Sequence, residues 1–181
     1  MTTSPLENAL MGLLDQAPSS GYDLRRAFSS TPLRQFSSSP GSIYPALRRL
    51  ADRGWIDADQ PGGSRGRQAF RLNEQGRKAF ITWLKGPVTQ EDVIWGTDLL
   101  LLRFAFMGQA LPPSDVQAFL DDLLRELGIH LASLEGFHGE HGKSMPLTGS
   151  LAFQHGVEQV RALQVWAREA QSTITRAKTW P

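Results

Sequence analysis

The residues of this 181-residue chain that could do chemistry are cationic and aromatic rather than nucleophilic. Ser39-Pro40-Gly41-Ser42 reads as a cap-plus-proline helix start, with small residues and backbone N–H groups that let a phosphate approach closely. Ser42, Tyr44 and Arg48 can then reach a nucleic-acid groove: Arg pairs with guanine edges, and Tyr meets sugar, phosphate or a thymine methyl. Pro45 lies inside the same helix, where its missing N–H should loosen the first turns or be tolerated as an early proline; the loosened form would shape the groove-facing end. Farther on, Arg65 and Arg67 sit in Pro61-Gly62-Gly63-Ser64-Arg65-Gly66-Arg67, a flexible basic tip suited to the negative potential of a minor groove. Cations on two separate elements make binding to a polyanion strongly salt dependent. Plainer readings stand beside these. Tyr44 could be a buried helix residue whose hydroxyl finds a backbone partner, and Arg49 and Arg53 could be no more than a solvated face.

Other chemistry is poorly supported. With no Cys, the chain has no disulfide, thiolate zinc site, iron–sulfur cluster or Cys nucleophile, and a reducing cytoplasm is the expected compartment. No Ser/His/Asp order, carboxylate pair or phosphate loop stands out, so an enzyme is not expected. His138-Gly139-Glu140-His141 invites a metal reading, but the segment is Gly-rich and lacks a third fixed ligand; no cofactor is expected. Trp95, Phe104, Phe106 and Trp166 could line an aromatic effector pocket between protomers, or simply form core and dimer seam; Trp95, Phe104 and Trp166 are the effector candidates. No basic-then-apolar leader is visible at the start. The longest apolar run, Leu99 to Met107, is broken by Arg103 and is far short of the roughly 20 residues of a membrane span.

The elements that must position these residues are well signalled. Ser4-Pro5-Leu6-Glu7 combines a Ser cap, a first-turn Pro and a Glu at the third position, and Leu6, Leu10, Leu13 and Leu14 give the apolar face of a first helix. After Ala17-Pro18-Ser19, Ser20-Gly21-Tyr22-Asp23 opens a second helix, expected through about Phe28. The Ser-rich stretch from Ser29 to Ser39 reads as loop with at most one helical turn. In the third helix Ile43, Leu47 and Leu50 share a face, and Gly54 supplies a left-handed stop. Trp55 to Asp59 and Ala69 to Leu72 then flank the basic tip as two strands. Asn73 caps a fourth helix with Ala79, Phe80, Trp83 and Leu84 buried. Three helices followed by a basic-tipped hairpin is the order of a winged helix-turn-helix.

The second half is helical. Val93 to Met107 forms a helix interrupted at Gly96-Thr97, and Pro112-Pro113-Ser114 separates it from the next. Residues 114–135 carry Val116, Phe119, Leu120, Leu123, Leu124, Leu127, Leu131 and Leu134 at spacings of three and four. Gly136 through Gly149 should break this helix, and a last one runs from about Leu151 to Lys178. Two long amphipathic helices without a sheet cannot close a large core, so a second copy is expected against them.

Charge is unevenly divided. Residues 1–85 carry 12 Lys plus Arg against 7 Asp plus Glu, a net of +5, and residues 86–181 carry 7 against 11, a net of −4. The formal +1 of the whole chain thus hides a basic half and an acidic half, which makes nucleic acid the leading partner of the first.

At this point a resemblance can be stated. Gly41-Ser42-Ile43-Tyr44-Pro45-Ala46-Leu47-Arg48-Arg49-Leu50, closing with Asp52-Arg53-Gly54-Trp55-Ile56, closely resembles the signature of the PadR family of transcriptional regulators. Gly21-Tyr22-Asp23-Leu24 and Arg67 with Phe70-Arg71-Leu72-Asn73-Glu74-Gln75-Gly76 match its second helix and second wing strand, so the match spans about residues 8–85. The remainder, with Trp166 late on a long helix, is similar to the larger helical domain of the subfamily closest to the phenolic-acid-responsive repressors. The resemblance implies a homodimer on a pseudo-palindromic double-stranded operator, usually repressing and released by a small effector, for which an aromatic or hydrophobic molecule is the candidate, or by a change of state. Its DNA-reading Ser, Tyr and basic positions fall on Ser42, Tyr44 and Arg48, and its basic wing on Arg65 and Arg67. One departure is the Ser-rich loop, which offers only Arg34 as an extra cation.

The fold class expected is mainly α with a small two-stranded β wing: a winged helix-turn-helix DNA-binding domain over residues 1–86 and a helical dimerisation and effector domain over 87–181. Ser39, Gly41, Ser42, Tyr44, Pro45, Arg48, Arg65 and Arg67 are the candidate DNA contacts. Two rival readings remain: a winged-helix protein-interaction module, and a small-molecule binding protein built on the helical half, both without DNA binding.

Overall fold

A computed structural model describes residues 3–36, 40–58, 68–177 and 179–180. The chain divides into two compact units, Met1–Leu84 and Lys85–Pro181.

The first unit is built around α1 (Pro5–Gln16), which packs on α3, α4 and β3. α1 begins where the sequence signals it. Ser4 Oγ accepts from the Glu7 amide at 3.2 Å, and Glu7 Oε2 accepts from the Ser4 amide at 3.0 Å, a reciprocal cap. β1 (Ser19–Ser20) leads into α2 (Gly21–Ser30), capped by Ser20, and then into a short 3-10 turn at Pro32–Phe36. A second 3-10 turn, Pro40–Ser42, opens α3 (Ile43–Asp52); β2 (Ile56–Ala58), β3 (Ala69–Leu72) and α4 (Glu74–Leu84) complete the unit. Leu10, Leu24, Ile43, Leu47, Leu50, Phe80 and Leu84 form its core.

Two differences from expectation appear here. The sheet has three strands in the order β1-β3-β2, because Ser19 and Ser20 pair antiparallel with Phe70 and Ala69. Two serines carry no strand periodicity, and only the partner strand makes them one. The α-helical part of α3 also starts later than the expected Ser39-Pro40 cap. Pro45 has no N–H to donate to the Gly41 carbonyl, and the chain before Ile43 takes the tighter 3-10 pattern instead.

α3 is joined to the sheet and to α4 through one tight junction. Gly54 turns the chain at φ +68°, the Trp55 amide donates to Leu50 O at 3.0 Å, and the Asn73 amide donates to Trp55 O at 3.1 Å. Asn73 Oδ1 caps α4 by accepting from Gly76 N at 3.0 Å, while its Nδ2 donates to Gly54 O and Asp57 Oδ1. Gly76 packs so closely that a Cβ there would run into the Trp55 carbonyl.

α3 is also tied to α1 by charge. The Glu7 side chain is 2% exposed, and both of its oxygens take an arginine from α3: Arg49 Nε donates to Oε1 at 2.6 Å and an Arg53 amino group to Oε2 at 3.1 Å. Arg49 and Arg53 are therefore not simply a solvated face. Burial by itself would raise the Glu7 carboxyl, but the Arg49 and Ser4 hydrogen bonds and the two arginine charges outweigh it and hold the carboxyl below its ordinary value.

The second unit is helical: α5 (Gln90–Trp95), α6 (Thr97–Ala110), α7 (Pro113–His141) and α8 (Leu147–Arg176), with a 3-10 turn at Gly142–Ser144. α7 and α8 run antiparallel, as the pairings Gln117 with Thr175, Asp121 with Gln171 and Glu135 with Arg161 require. The expected break over Gly136 to Gly149 shrinks to the turn at residues 142–146. Glycine weakens a helix by about 1 kcal/mol, but contacts with α8 offset this: Phe137 and His138 stack on Phe153 at 5.8 and 5.5 Å between ring centroids. α8 likewise starts at Leu147 rather than Leu151, with the Ser150 amide closing the first turn on Pro146 O at 2.9 Å. Arg103, buried in α6, donates to the carbonyls of Gly86 and Pro87 and lies 5.0 Å from the Phe119 ring. Burial pushes its pKa down, opposed by the charges of Asp92 and Asp122. No helix among the described residues is long and apolar enough to cross a membrane.

Two stability predictions follow from the first unit. Gly76→Ala forces the Trp55 carbonyl to move and should lower unfolding free energy by about 2 kcal/mol, read as a lower urea midpoint at unchanged slope. Glu7→Gln should cost about 1–3 kcal/mol near neutral pH, toward the lower end because Arg49 is half exposed. A depressed carboxyl stabilises the fold above its unfolded-state value, ordinarily 4.5, and that stability is lost as pH falls through the lower folded value. Urea unfolding of wild type and Glu7→Gln should accordingly converge on acidification, and a constant gap down to about pH 2 would contradict the pairing.

Candidate nucleic-acid interface

The side chains of α3 divide around its axis. Ile43, Ala46, Leu47 and Leu50 are buried against α1 and α2, while Tyr44, Pro45 and Arg48 face solvent. Tyr44 is 54% exposed, so its reading as a buried helix residue does not hold. Its ring rests on the start of α2, where a Cβ at Gly21 would lie 2.6 Å from Tyr44 Cε1. Gly21 thus provides the seat that orients Tyr44. Next to it Tyr22 is also exposed, with the Arg25 guanidinium 5.5 Å from its ring centre.

Gly41 and Ser42 stand at the N-terminal end of α3, with Gly41 exposed and Ser42 half-buried. Ser42 is the N-cap residue by position, but its backbone is already helical (φ −85°, ψ −24°) and its side chain does not cap. A 3-10 turn over Pro40–Ser42 stands ahead of the helix, and the expected cap, Ser39, lies outside the described residues. Between α3 and the sheet runs a groove of about 770 Å³, with Tyr44, Pro45, Arg48 and Arg49 on one wall and Ala58, Gln68 and Phe70 on the other. Ser39, Arg65 and Arg67 lie outside the described residues.

The structure brings Gly41, Ser42, Tyr44, Pro45 and Arg48 onto one end and one side of a single short helix. Sequence reasoning missed two residues that hold this arrangement, Glu7 and Gly21. Glu7 was legible as a cap but not as the partner of residues 42 and 46 positions away. The signal at Gly21 was a glycine at the first position of a capped helix, where most other residues would serve better.

In the second unit, the effector candidates separate. Phe104 meets Trp166 edge to face at 5.0 Å and Phe119 at 6.2 Å. Trp166 also borders a cleft of about 700 Å³ whose walls include Leu101, Leu127, His130, Leu134 and Leu163. Trp95 is 84% exposed and does not line that cleft, and Phe106 is buried. His138 and His141 stack on Phe153 and Phe137, and among the described residues no group of three His, Asp or Glu side chains is placed to hold a metal ion.

Comparison with known proteins agrees with the sequence signature. Residues 10–81 match the family described as "Transcriptional regulator PadR-like family". The chain is 30% identical over 133 residues to the negative transcriptional regulator PadR of Bacillus subtilis, covering 72% of this chain and 71% of that protein. Among solved structures it is similar to Bacillus subtilis PadR in complex with operator DNA (23% identity, TM-score 0.41, covering 93% and 98% of the two chains). It is similar also to Bacillus subtilis PadR in complex with p-coumaric acid (21% identity, TM-score 0.40, covering 96% and 97%). The signature on α3, the match over residues 10–81 and the 30% identity to a characterised member lead to one assignment: the chain belongs to the PadR-like family of transcriptional regulators.

Proposed function

We propose that this chain is a homodimeric repressor that binds a pseudo-palindromic operator through α3 and the basic tip of its wing and is released by a small aromatic effector. The observation that carries the reading is the exposed row on α3, in which Tyr44 and Arg48 project from a helix whose other side is anchored in the core. Gly41, Ser42 and Ser39 would let backbone approach a phosphate, Pro45 shapes that end, and Arg65 and Arg67 enter the minor groove. Residues 1–86 form the DNA-binding domain in this reading and residues 87–181 the dimerisation and effector domain. Repression is supported by the Bacillus subtilis relative, which is a negative regulator. The protein acts by binding rather than catalysis, in the cytoplasm where its operator is.

Dimerisation is supported by apolar side chains left open along the second unit. Leu147, Leu151 and Val165 of α8 and Ile129 of α7 are more than half exposed, which a monomer would not favour. Twofold pairing sets two copies of α3 on one face of DNA about 34 Å apart. An effector that releases the operator must bind the free and DNA-bound forms unequally. The cleft beside Trp166 and Phe104 is the place proposed for it, and Trp95, standing apart, is the weakest of the three candidates.

The test is operator binding by fluorescence anisotropy, on a fragment recovered from genomic DNA by selection. Tyr44→Ala and Arg48→Ala should each weaken binding by about tenfold or more, and the double change Arg65→Ala/Arg67→Ala should do the same, all with the dimer intact by light scattering. Wild-type affinity in all three would exclude these residues as DNA contacts. For the effector, p-coumaric acid is the first probe: titrated against Trp fluorescence with and without operator, it should bind the free protein more tightly. Equal affinity in both states contradicts release by this ligand.

A further inference from the structure

The arginines of α3 look alike in the sequence and are not alike in the fold. At about 100° per residue, Arg48 lies about 40° round the helix from Tyr44, whereas Arg49 and Arg53 lie about 140° and 180° from it. Arg53 lies on the flank toward α1, and Arg49, which also borders the groove beside Arg48, turns its Nε to α1. There Arg49 Nε is 2.6 Å from one Glu7 oxygen and Arg53 is 3.1 Å from the other, with the Arg53 guanidinium also 5.1 Å from the Trp55 ring centre. Glu7 is buried, and among the described residues no other cation pairs with it; its remaining side-chain hydrogen bond comes from the Ser4 amide. Drawing Arg49 or Arg53 off Glu7 onto a phosphate would leave a buried carboxylate with one arginine fewer, which costs more than an exposed arginine costs to reorient.

We propose that Glu7 is a positioning residue for DNA recognition: it withdraws Arg49 and Arg53 from the cations offered to phosphate and uses them to fix which side of α3 faces the nucleic acid. The inference rests on the DNA-binding reading above. Its consequence is a division of labour within Arg48-Arg49 and Arg53, in which Arg48 reads and the other two hold. Pairing both oxygens sets the rotation of α3 about its axis, because the two arginines are four residues apart, one helical turn, and a slip of α3 would break both contacts. The carboxylate also neutralises one positive charge on this side of α3, which lowers affinity for DNA of any sequence and favours the operator over the rest of the genome.

The experiment uses the full-length protein with an operator fragment and a random fragment of equal length, across a KCl series. On random DNA, Arg49→Ala and Arg53→Ala should leave the slope of log K against log salt at the wild-type value while weakening operator binding through a displaced α3. Glu7→Gln should steepen that slope by about 0.9 for each arginine released, and lower the operator-to-random affinity ratio about tenfold. Ser4→Ala removes the cap oxygen and costs stability without touching the arginines; it should leave slope and ratio at wild type, which separates positioning from folding. A slope reduced by about 0.9 in either arginine variant, or a Glu7→Gln protein with wild-type slope and ratio, overturns the proposal. Should Glu7→Gln not fold, the two arginine variants decide it alone. A wild-type protein that does not distinguish operator from random DNA overturns instead the DNA-binding reading on which this rests.

Discussion

A buried carboxylate must be paired or protonated, and Glu7 is paired twice over. It accepts the first-turn amide of its own cap and two guanidinium groups from a helix more than forty residues away. The first unit is organised by this knot. α1 supplies the central apolar rod, and Glu7 at its N-terminus decides how α3 lies along it. From that one constraint follow the inward turn of Ile43, Ala46, Leu47 and Leu50 and the outward turn of Tyr44 and Arg48. The far end of α3 is fixed independently by Gly54, Trp55, Asn73 and Gly76, where backbone approaches backbone too closely for a side chain. A short helix held at both ends can present its exposed row to a partner with little ordering entropy lost on binding.

Helix starts were legible wherever the cap is local. Ser4 with Glu7, Ser20 with Asp23 and Asn73 with Gly76 lie three residues apart, and that short range makes them readable from sequence. The strand at Ser19–Ser20 was not readable, because nothing in two serines encodes the pairing with Phe70 and Ala69. The glycines at 136 and 139 pointed to a break that α8 overrides by packing Phe153 on Phe137 and His138. Pro45 was read as loosening the start of α3 or as a tolerated early proline; it stands third in α3, with a 3-10 turn ahead of it that nothing in the sequence specified. The candidate DNA-facing residues of α3 were legible through the family signature. What holds them was not, since the Glu7 pairs span 42 and 46 positions.

The division of charge along the chain now has a structural counterpart. In the basic half, two of the arginines are consumed internally by Glu7, and Arg77 and Arg71 meet Asp15 and Asp57. The formal net of +5 already subtracts these carboxylates, so the pairs leave the size of the surplus unchanged and instead fix where it lies. In the acidic half the carboxylates pair along and across α7 and α8, as Asp122 with Arg125 and Glu135 with Arg161 do, while apolar side chains such as Leu147 and Val165 stay exposed.

The most direct measurement is selection of bound duplexes from a random-sequence pool by the full-length protein at moderate salt. Readout by α3 in a twofold dimer predicts enrichment of an inverted repeat with half-sites about 10 base pairs apart, centre to centre. A folded protein that recovers duplexes without any enriched sequence would contradict DNA readout by this helix.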